Sequence, residues 1–391
     1  MTGTHAAWLQ QQIHDLQARH LWRTPADRAG LLNFCSNDYL NLSTHPALAA
    51  AAADASRALG TGAGASRLVS GDHPWHRTLE DRLVDWLGLP DVLIFNNGFA
   101  ANSGLIPALT TADDVVFSDA LNHASIIDGV RLSPATRVVF PHQDLATLEA
   151  QLHAHRATCP GRMWVLTESI FSMDGDLTDL PALADLCERH DAALIVDEAH
   201  ALGVMGQGGR GAVALAGLQQ RVFAVVGTCG KAMGSYGAFV AGHAPLRAWL
   251  WNRSRPFVYS TALPPATCAA TLAALDLLEQ GEAQDRLRQI RMAMTHALSK
   301  AGLWSGPVPE GAVFPVVIGD ADRTMRVSAA LAERGFFVQG IRQPTVPAGT
   351  SRLRLTVNAG ITEVQVNAMV DALVHALQQT GVDATKVVQT G

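Results

Sequence analysis

Residues 192–203 read AALIVDEAHALG and residues 222–240 read VFAVVGTCGKAMGSYGAFV, and these two stretches decide the fold. Each opens on an apolar run of strand length and closes on polar or glycine-rich residues. Runs apolar on both faces, with helices between them, are the pattern of a mostly parallel sheet covered on both sides. Asp197, Glu198 and His200 then fall at the carboxyl end of one strand, where open α/β sheets bind ligands. In the second stretch the strand ends at Gly227, and the loop after it carries Thr228, Gly230 and Lys231. A lysine set among small residues after a buried strand is poorly solvated, which lowers its pKa and suits it to form an imine. Taken singly, the first motif also fits a strand-end loop with a helix cap, and the second a surface lysine in a glycine loop.

Outward from this pair the same rhythm continues. The runs DVLIF (91–95), DVVFSD (114–119), TRVVFP (136–141) and RMWVLTE (162–168) alternate with helical stretches. The expected class is therefore α/β, with a large domain over 59–262. Residues 1–58 supply an amphipathic helix with Trp8, Ile13 and Leu16 at helical spacing, the extended piece LLNFCSNDYL, and the helix HPALAAAAADASRAL. HPWHRTLEDRLVDWLG predicts a helix with Trp75, Leu79, Leu83 and Trp86 on one face and Gly88 as its stop. Residues 263–391 read as a smaller α+β domain: a long helical region over 264–302, a helix near 323–334, the runs GFFVQGI and SRLRLTV, and a final helix at 362–379.

Of the 391 residues 48% are hydrophobic and 16% charged, and the net charge is −6 with no block of like charge, which argues against nucleic acid and against an acidic membrane surface. Paired arginines such as Arg253 with Arg255, or Arg352 with Arg354, remain able to meet one anionic small molecule. The five scattered cysteines suggest neither a disulfide framework nor a metal site, so a reducing, cytoplasmic setting is expected. The opening MTGTHAAWLQQQIHDLQARH has neither the basic nor the apolar region of a signal peptide, and no run reaches the length of a membrane span.

The two opening motifs acquire a joint meaning. A carboxylate to pair with a protonated pyridine nitrogen and a lysine to form an imine are the basic needs of pyridoxal-phosphate chemistry. NNGFAANSGL sets Gly98 and Phe99 at a helix start, where backbone N–H groups suit a phosphate, and the Thr228 hydroxyl could also reach one. His123, in SDALNHASIIDGVRL, could stack on an aromatic ring or simply cap a helix. Ser172, after Glu168 in VLTESIFSMDGDLTDL, could meet a phenolic oxygen or satisfy its turn.

With these residues in view, the chain resembles the α-oxoamine synthases, a family of fold-type-I pyridoxal-phosphate transferases with an aspartate-aminotransferase-like fold. The resemblance runs through NFCSNDYLNLSTHP, GASRLVSG, NNGFAANSG, DALNHASIIDG, FSMDGDLTDL, VDEAHALGVMGQGGRG, GTCGKAMGS, SRPFVYSTALPPA and GIRQPTVPAGTSRLRLTV. It implies a homodimer with a shared site. Lys231 would be the imine lysine, Asp197 the partner of the pyridine nitrogen, and His123 and Ala199 the residues on the two faces of the ring. Ser172 and His200 would meet the phenolic oxygen, Gly98, Phe99 and Thr228 the phosphate, and Ser260 and Thr261 the neighbouring subunit's cofactor. Arg354 would bind a substrate carboxylate, Asn37 would sit near the amino acid, Thr345 would line the acyl site, and Arg23 would be the N-terminal substrate-binding arginine. GASRLVSG and IRQPTVPAGTSRLRLTV resemble the branch that condenses L-alanine with a pimeloyl thioester, on CoA or on a carrier protein. SDALNHASIIDGVRL is as similar to a glycine-using branch, and a serine-using one also exists. The chain departs from the family pattern at Asn41, Ser169, Glu198 and Ile361.

Overall fold

The computed structural model describes residues 3–23, 25 and 29–382; the remaining positions, including the chain ends 1–2 and 383–391 of the first and last expected segments, lie outside the described residues. Strands form where the apolar runs stand. After a two-residue strand β1 (Leu32–Asn33) come β2 (Asp91–Phe95), β3 (Val115–Asp119), β4 (Thr136–Phe140), β5 (Met163–Glu168), β6 (Ala192–Asp197), β7 (Ala224–Thr228) and β8 (Ala238–Gly242). The last seven make one sheet in the order β2-β8-β7-β6-β5-β3-β4. β3 to β7 pair in parallel, as the unbroken apolar runs predict, while β8 lies antiparallel to both β7 and β2. β8 is the GAFV end of the Lys231 stretch. The chain reverses across Gly234 and Gly237, whose φ of 60° and 112° fall in the region that glycine enters at least cost. β4 is an edge strand and is exposed along most of its length, whereas β3 and β5 are buried throughout.

The register puts the chemistry on one edge of this sheet. Phe95, Ala238 and Thr228 stand side by side, as do Glu168 and Asp197. The segments leaving β2, β3, β5, β6 and β7 therefore emerge together.

Four further strands, β9 (Val313–Gly319), β10 (Phe336–Phe337), β11 (Gly340–Ile341) and β12 (Ser351–Thr356), complete the C-terminal part. β9, β12 and β11 form an antiparallel sheet, and β10 pairs in parallel with β1, which ties the N-terminal segment to this region. The expected long helix over 264–302 is two helices, Pro265–Gln280 and Glu282–Lys300, because Gly281 adopts φ 80° and ends the first. The first packs on the helices Pro46–Leu59 and Pro74–Leu87, the second on Glu363–Gln379. The predicted apolar face of Pro74–Leu87 is buried at Leu79, Leu83 and Trp86, and Gly88 is its left-handed stop. The expected N-terminal helix is present as Gly3–Ala18; its Ile13 is half-buried, while Trp8, Leu9 and Leu16 are exposed.

Candidate active site

Asp197 ends β6 with its carboxylate fixed on both oxygens. Oδ1 accepts the Ala199 N–H at 2.8 Å, and Oδ2 accepts Asn102 Nδ2 at 2.7 Å. Asn102 is a buried polar residue on the largely apolar helix Gly98–Leu109, and it also donates to Ser125 Oγ at 3.0 Å. Ser125 in turn lies 2.7 Å from His123 Nδ1. His123 caps the helix Ala124–Leu132, with the Ser125 N–H donating to Nδ1 at 3.2 Å. That bond makes Nδ1 an acceptor and leaves the proton of the neutral ring on Nε2. Burial lowers the His123 pKa against the opposing pull of Asp197, so the ring is neutral at physiological pH. Its backbone N–H donates to Glu168 Oε1 at 2.6 Å. Glu168 ends β5 fully buried, and burial together with the nearby Asp197 charge raises its pKa well above the carboxylate range.

Lys231 follows β7. Burial pushes its pKa down to about 8, although Asp197 and Glu168 pull the other way. Its Nζ lies 2.8 Å from His200 Nε2, and His200 Nδ1 lies 2.6 Å from Tyr39 Oη. Burial and the neighbouring positive charges of Lys231 and Arg354 hold His200 well below its usual pKa. A neutral ring with its proton on Nδ1 satisfies the whole chain: protonated Lys231 donates to Nε2, and Nδ1–H donates to Tyr39. Tyr39 Oη donates to Asn37 Oδ1 at 3.2 Å and accepts from Arg354 Nη2 at 3.2 Å. Arg354, on β12, also donates from Nη1 to Asn37 Oδ1 at 3.0 Å and from Nε to the Ser172 carbonyl.

Asn97 caps the helix Gly98–Leu109, its Oδ1 accepting the Ala100 N–H at 2.8 Å. A Cβ added to Gly98 would meet nothing within 4 Å, so the first turn opens onto free space. Phe99 is half-exposed beside it. The Thr228 hydroxyl, expected to face a phosphate, donates here to the Gly237 carbonyl at 3.1 Å, and its oxygen accepts the Gly230 N–H at 3.2 Å. Ser260 and Thr261 line a small hollow with Arg67 and Asn96, where Asn96 Nδ2 donates to the Thr261 carbonyl at 2.8 Å. Arg23 and Thr345 are brought together, Nη2 to Oγ1 at 3.3 Å, although 322 positions separate them. They line a cavity of about 420 Å³ next to β11.

The residues fit pyridoxal phosphate on three counts. A positioned carboxylate at Asp197 suits a pyridinium, a desolvated Lys231 suits an imine, and an open helix start suits a phosphate. The sequence reading did not assign Tyr39, Asn102 or Ser125 to the site, and it noted Glu168 without a role. Asn102 was detectable as a polar residue within an apolar helix. Tyr39 carried no signal beyond its place in NFCSNDYL. The departures from the family pattern are accommodated locally. Asn41 takes φ 56°, which asparagine tolerates, and buried Glu198 accepts the N–H groups of Ala212 and Val213 at 2.6 and 3.0 Å.

Comparison with known proteins agrees with this assembly. The family model for aminotransferase class I and II matches residues 29–373. The chain is 47% identical over 356 residues to an 8-amino-7-oxononanoate synthase of Trichlorobacter lovleyi, covering 90% of each chain. It is 45% identical over 383 residues to the protein of that name from Anaeromyxobacter dehalogenans, covering 95% of each. A serine palmitoyltransferase of S. paucimobilis solved with bound PLP superposes with a TM-score of 0.89 at 28% identity, over 95% of this chain and 97% of that one. An 8-amino-7-oxononanoate synthase of Francisella tularensis gives 0.76 at 27% identity, over 91% of this chain and 100% of that one. The chain is thus a pyridoxal-phosphate enzyme of the α-oxoamine synthase family, within aminotransferase class I and II, and an acyltransferase of the 8-amino-7-oxononanoate synthase kind.

Proposed function

We propose that the enzyme condenses L-alanine with a pimeloyl thioester, on CoA or a carrier protein, releasing carbon dioxide and the thiol and giving 8-amino-7-oxononanoate for biotin synthesis. The reading rests on the relatives' names and on one observation above all: a desolvated Lys231, with a pKa of about 8, bonded to a neutral His200 and close enough to Asp197 to feel its charge. When bound, pyridoxal phosphate supplies an electron sink for the α-carbon of an attached amino acid. Asp197 would pair with the ring nitrogen and keep it protonated. Asn102 and the Ala199 N–H hold that carboxylate in place. The Lys231 amine takes the α-proton of alanine and later returns a proton to the same carbon; a pKa near the working pH suits both transfers. His200 holds Nζ in reach, and Tyr39 holds His200. Arg354 receives the amino-acid carboxylate with Asn37 beside it, and neutral His123 and Ala199 would be the residues that hold the cofactor ring between them. Ser172 and His200 would meet the phenolic oxygen, and Gly98, Phe99 and Thr228 would hold the phosphate. Thr345 and Arg23 line the acyl site. Ser260 and Thr261 serve the other subunit of a homodimer, as the family resemblance implies.

The test is exchange of the alanine α-proton with deuterium from solvent, together with thiol release from pimeloyl-CoA, in wild type and Lys231→Ala. Wild type is expected to do both and the variant neither; full turnover by Lys231→Ala would refute the assignment. Running glycine and L-serine in parallel decides the amino acid.

A further inference from the structure

The cavity that holds Arg23 and Thr345 contains a second arginine with no acidic counterpart. Arg342 is buried, with only 6% of its surface exposed. Its Nη2 donates to the Trp22 carbonyl, its Nη1 lies 2.8 Å from the Met325 thioether, and its Nε is buried without a hydrogen-bond partner. A thioether is a weak acceptor, so this guanidinium is held by its neighbours without being neutralised. Arg23, at the exposed mouth of the cavity, donates to the Gln343 carbonyl at 3.4 Å and the Thr345 hydroxyl at 3.3 Å. Neither arginine forms an ion pair with a carboxylate among the described residues. Burial and the charge of Arg23 both lower the Arg342 pKa, a penalty that an incoming anion would relieve.

Most of the rest of the wall is apolar, with Trp22, Met325, Ala329, Ala332, Phe337 and Ile341. An aliphatic chain ending in an anion matches such a lining, and the planar fork of arginine matches a carboxylate. The pocket also adjoins the reaction centre. Gln339 lines it, and the Gln339 carbonyl accepts the backbone N–H of Arg354 at 3.4 Å. Ile341, next to Arg342, pairs with Arg352 across β11 and β12, two residues from Arg354.

We infer that Arg342, together with Arg23, binds the distal carboxylate of the acyl chain, so that the enzyme selects thioesters of dicarboxylic acids over those of simple fatty acids. The inference rests on the acyl-condensation reading above and adds the group that recognises the far end of the chain.

The experiment compares pimeloyl-CoA with heptanoyl-CoA, which has the same chain length and a methyl end, using holoenzyme with L-alanine and following thiol release. The variants are Arg342→Met and Arg23→Met, the second altering an exposed side chain and so keeping the test sound if the first fails to fold. Wild type is expected to prefer pimeloyl-CoA, and each variant to narrow that kcat/KM preference by about tenfold or more, chiefly through KM for pimeloyl-CoA. An undiminished preference in both variants, with α-deuterium exchange into alanine intact, overturns the inference and leaves the condensation reading standing. Loss of that exchange in wild type overturns the condensation reading and this inference with it.

Discussion

Replacing His142 with glutamine should weaken the fold in a way that depends on pH. His142 lies between two carboxylates, with Nδ1 2.9 Å from Asp119 Oδ1 and Nε2 2.7 Å from Asp176 Oδ2. Its ring stands edge-on to Phe171 at 4.4 Å. With an acceptor at each nitrogen the ring is an imidazolium: burial opposes the charge, but the two carboxylates outweigh it and push the pKa up to about 10. The ordinary value is about 6.5, so the folded state binds the proton more tightly than the unfolded chain. The resulting stability is fully present below about pH 6.5 and is lost as the pH rises through about 10. A gap of ~3.5 pKa units corresponds to ~5 kcal/mol at most, and to ~4 kcal/mol at pH 7. A quarter of the side chain is exposed, so solvent screens the pair and about half of this, ~2 kcal/mol, is expected at neutral pH. Urea unfolding of wild type and His142→Gln between pH 6 and 10.5 reads the difference directly, and the titration of distant groups such as Lys231 cancels between the two proteins. The gap should be ~2 kcal/mol at pH 7 and should shrink toward zero by pH 10.5. A gap of constant size across that range would refute the imidazolium argument.

Three other substitutions probe the site and its support. Asn102→Leu removes the donor to Asp197; a hydrogen bond to a charged group is worth ~1.5–3 kcal/mol, so cofactor affinity should fall ~10–100-fold in an absorbance titration, and an unchanged Kd would remove Asn102 from the positioning of Asp197. Gly98→Ala adds a methyl into space open to 4 Å, so the melting temperature should hold while pyridoxal-phosphate affinity drops; equal affinity would mean the phosphate lies elsewhere. Arg67→Met takes from buried Glu80 its bidentate partner, leaving it Arg247, while Asp72 keeps Arg77, and this should cost ~3–5 kcal/mol in urea unfolding; a loss below ~1 kcal/mol would show that Arg247 alone can compensate Glu80.

What the sequence made legible follows from how local each feature is. The parallel strands could be read because each is a short apolar run, and Asp197 and Lys231 because each directly follows such a run. β8 was missed because its signal is a glycine turn that reverses the chain at the end of the lysine motif. The break at Gly281 was missed because a single glycine in a helical pattern does not by itself announce a left-handed cap. Tyr39 was missed for a different reason. Its partners are His200 and Arg354, 161 and 315 positions away, and no local period encodes a contact of that separation.

Those long-range contacts also explain how the site is prepared for its substrates. Arg354 is buried, yet its partners are the Asn37 side-chain oxygen, the Tyr39 hydroxyl and the Ser172 carbonyl, all of them neutral. A buried guanidinium among neutral acceptors is oriented but keeps its charge uncompensated, and a carboxylate is the ligand that gains most by replacing one of them. Arg342 is in the same condition at the acyl cavity, held by a carbonyl and a thioether. Among the described residues neither arginine has a carboxylate within ion-pair distance, and the two lie on adjoining parts of one antiparallel sheet. An amino acid and a dicarboxylic monothioester bring one free carboxylate each. Removing either arginine should therefore raise KM for its own substrate and leave KM for the other nearly unchanged. A joint rise in both values would mean that the two positions serve a single anion.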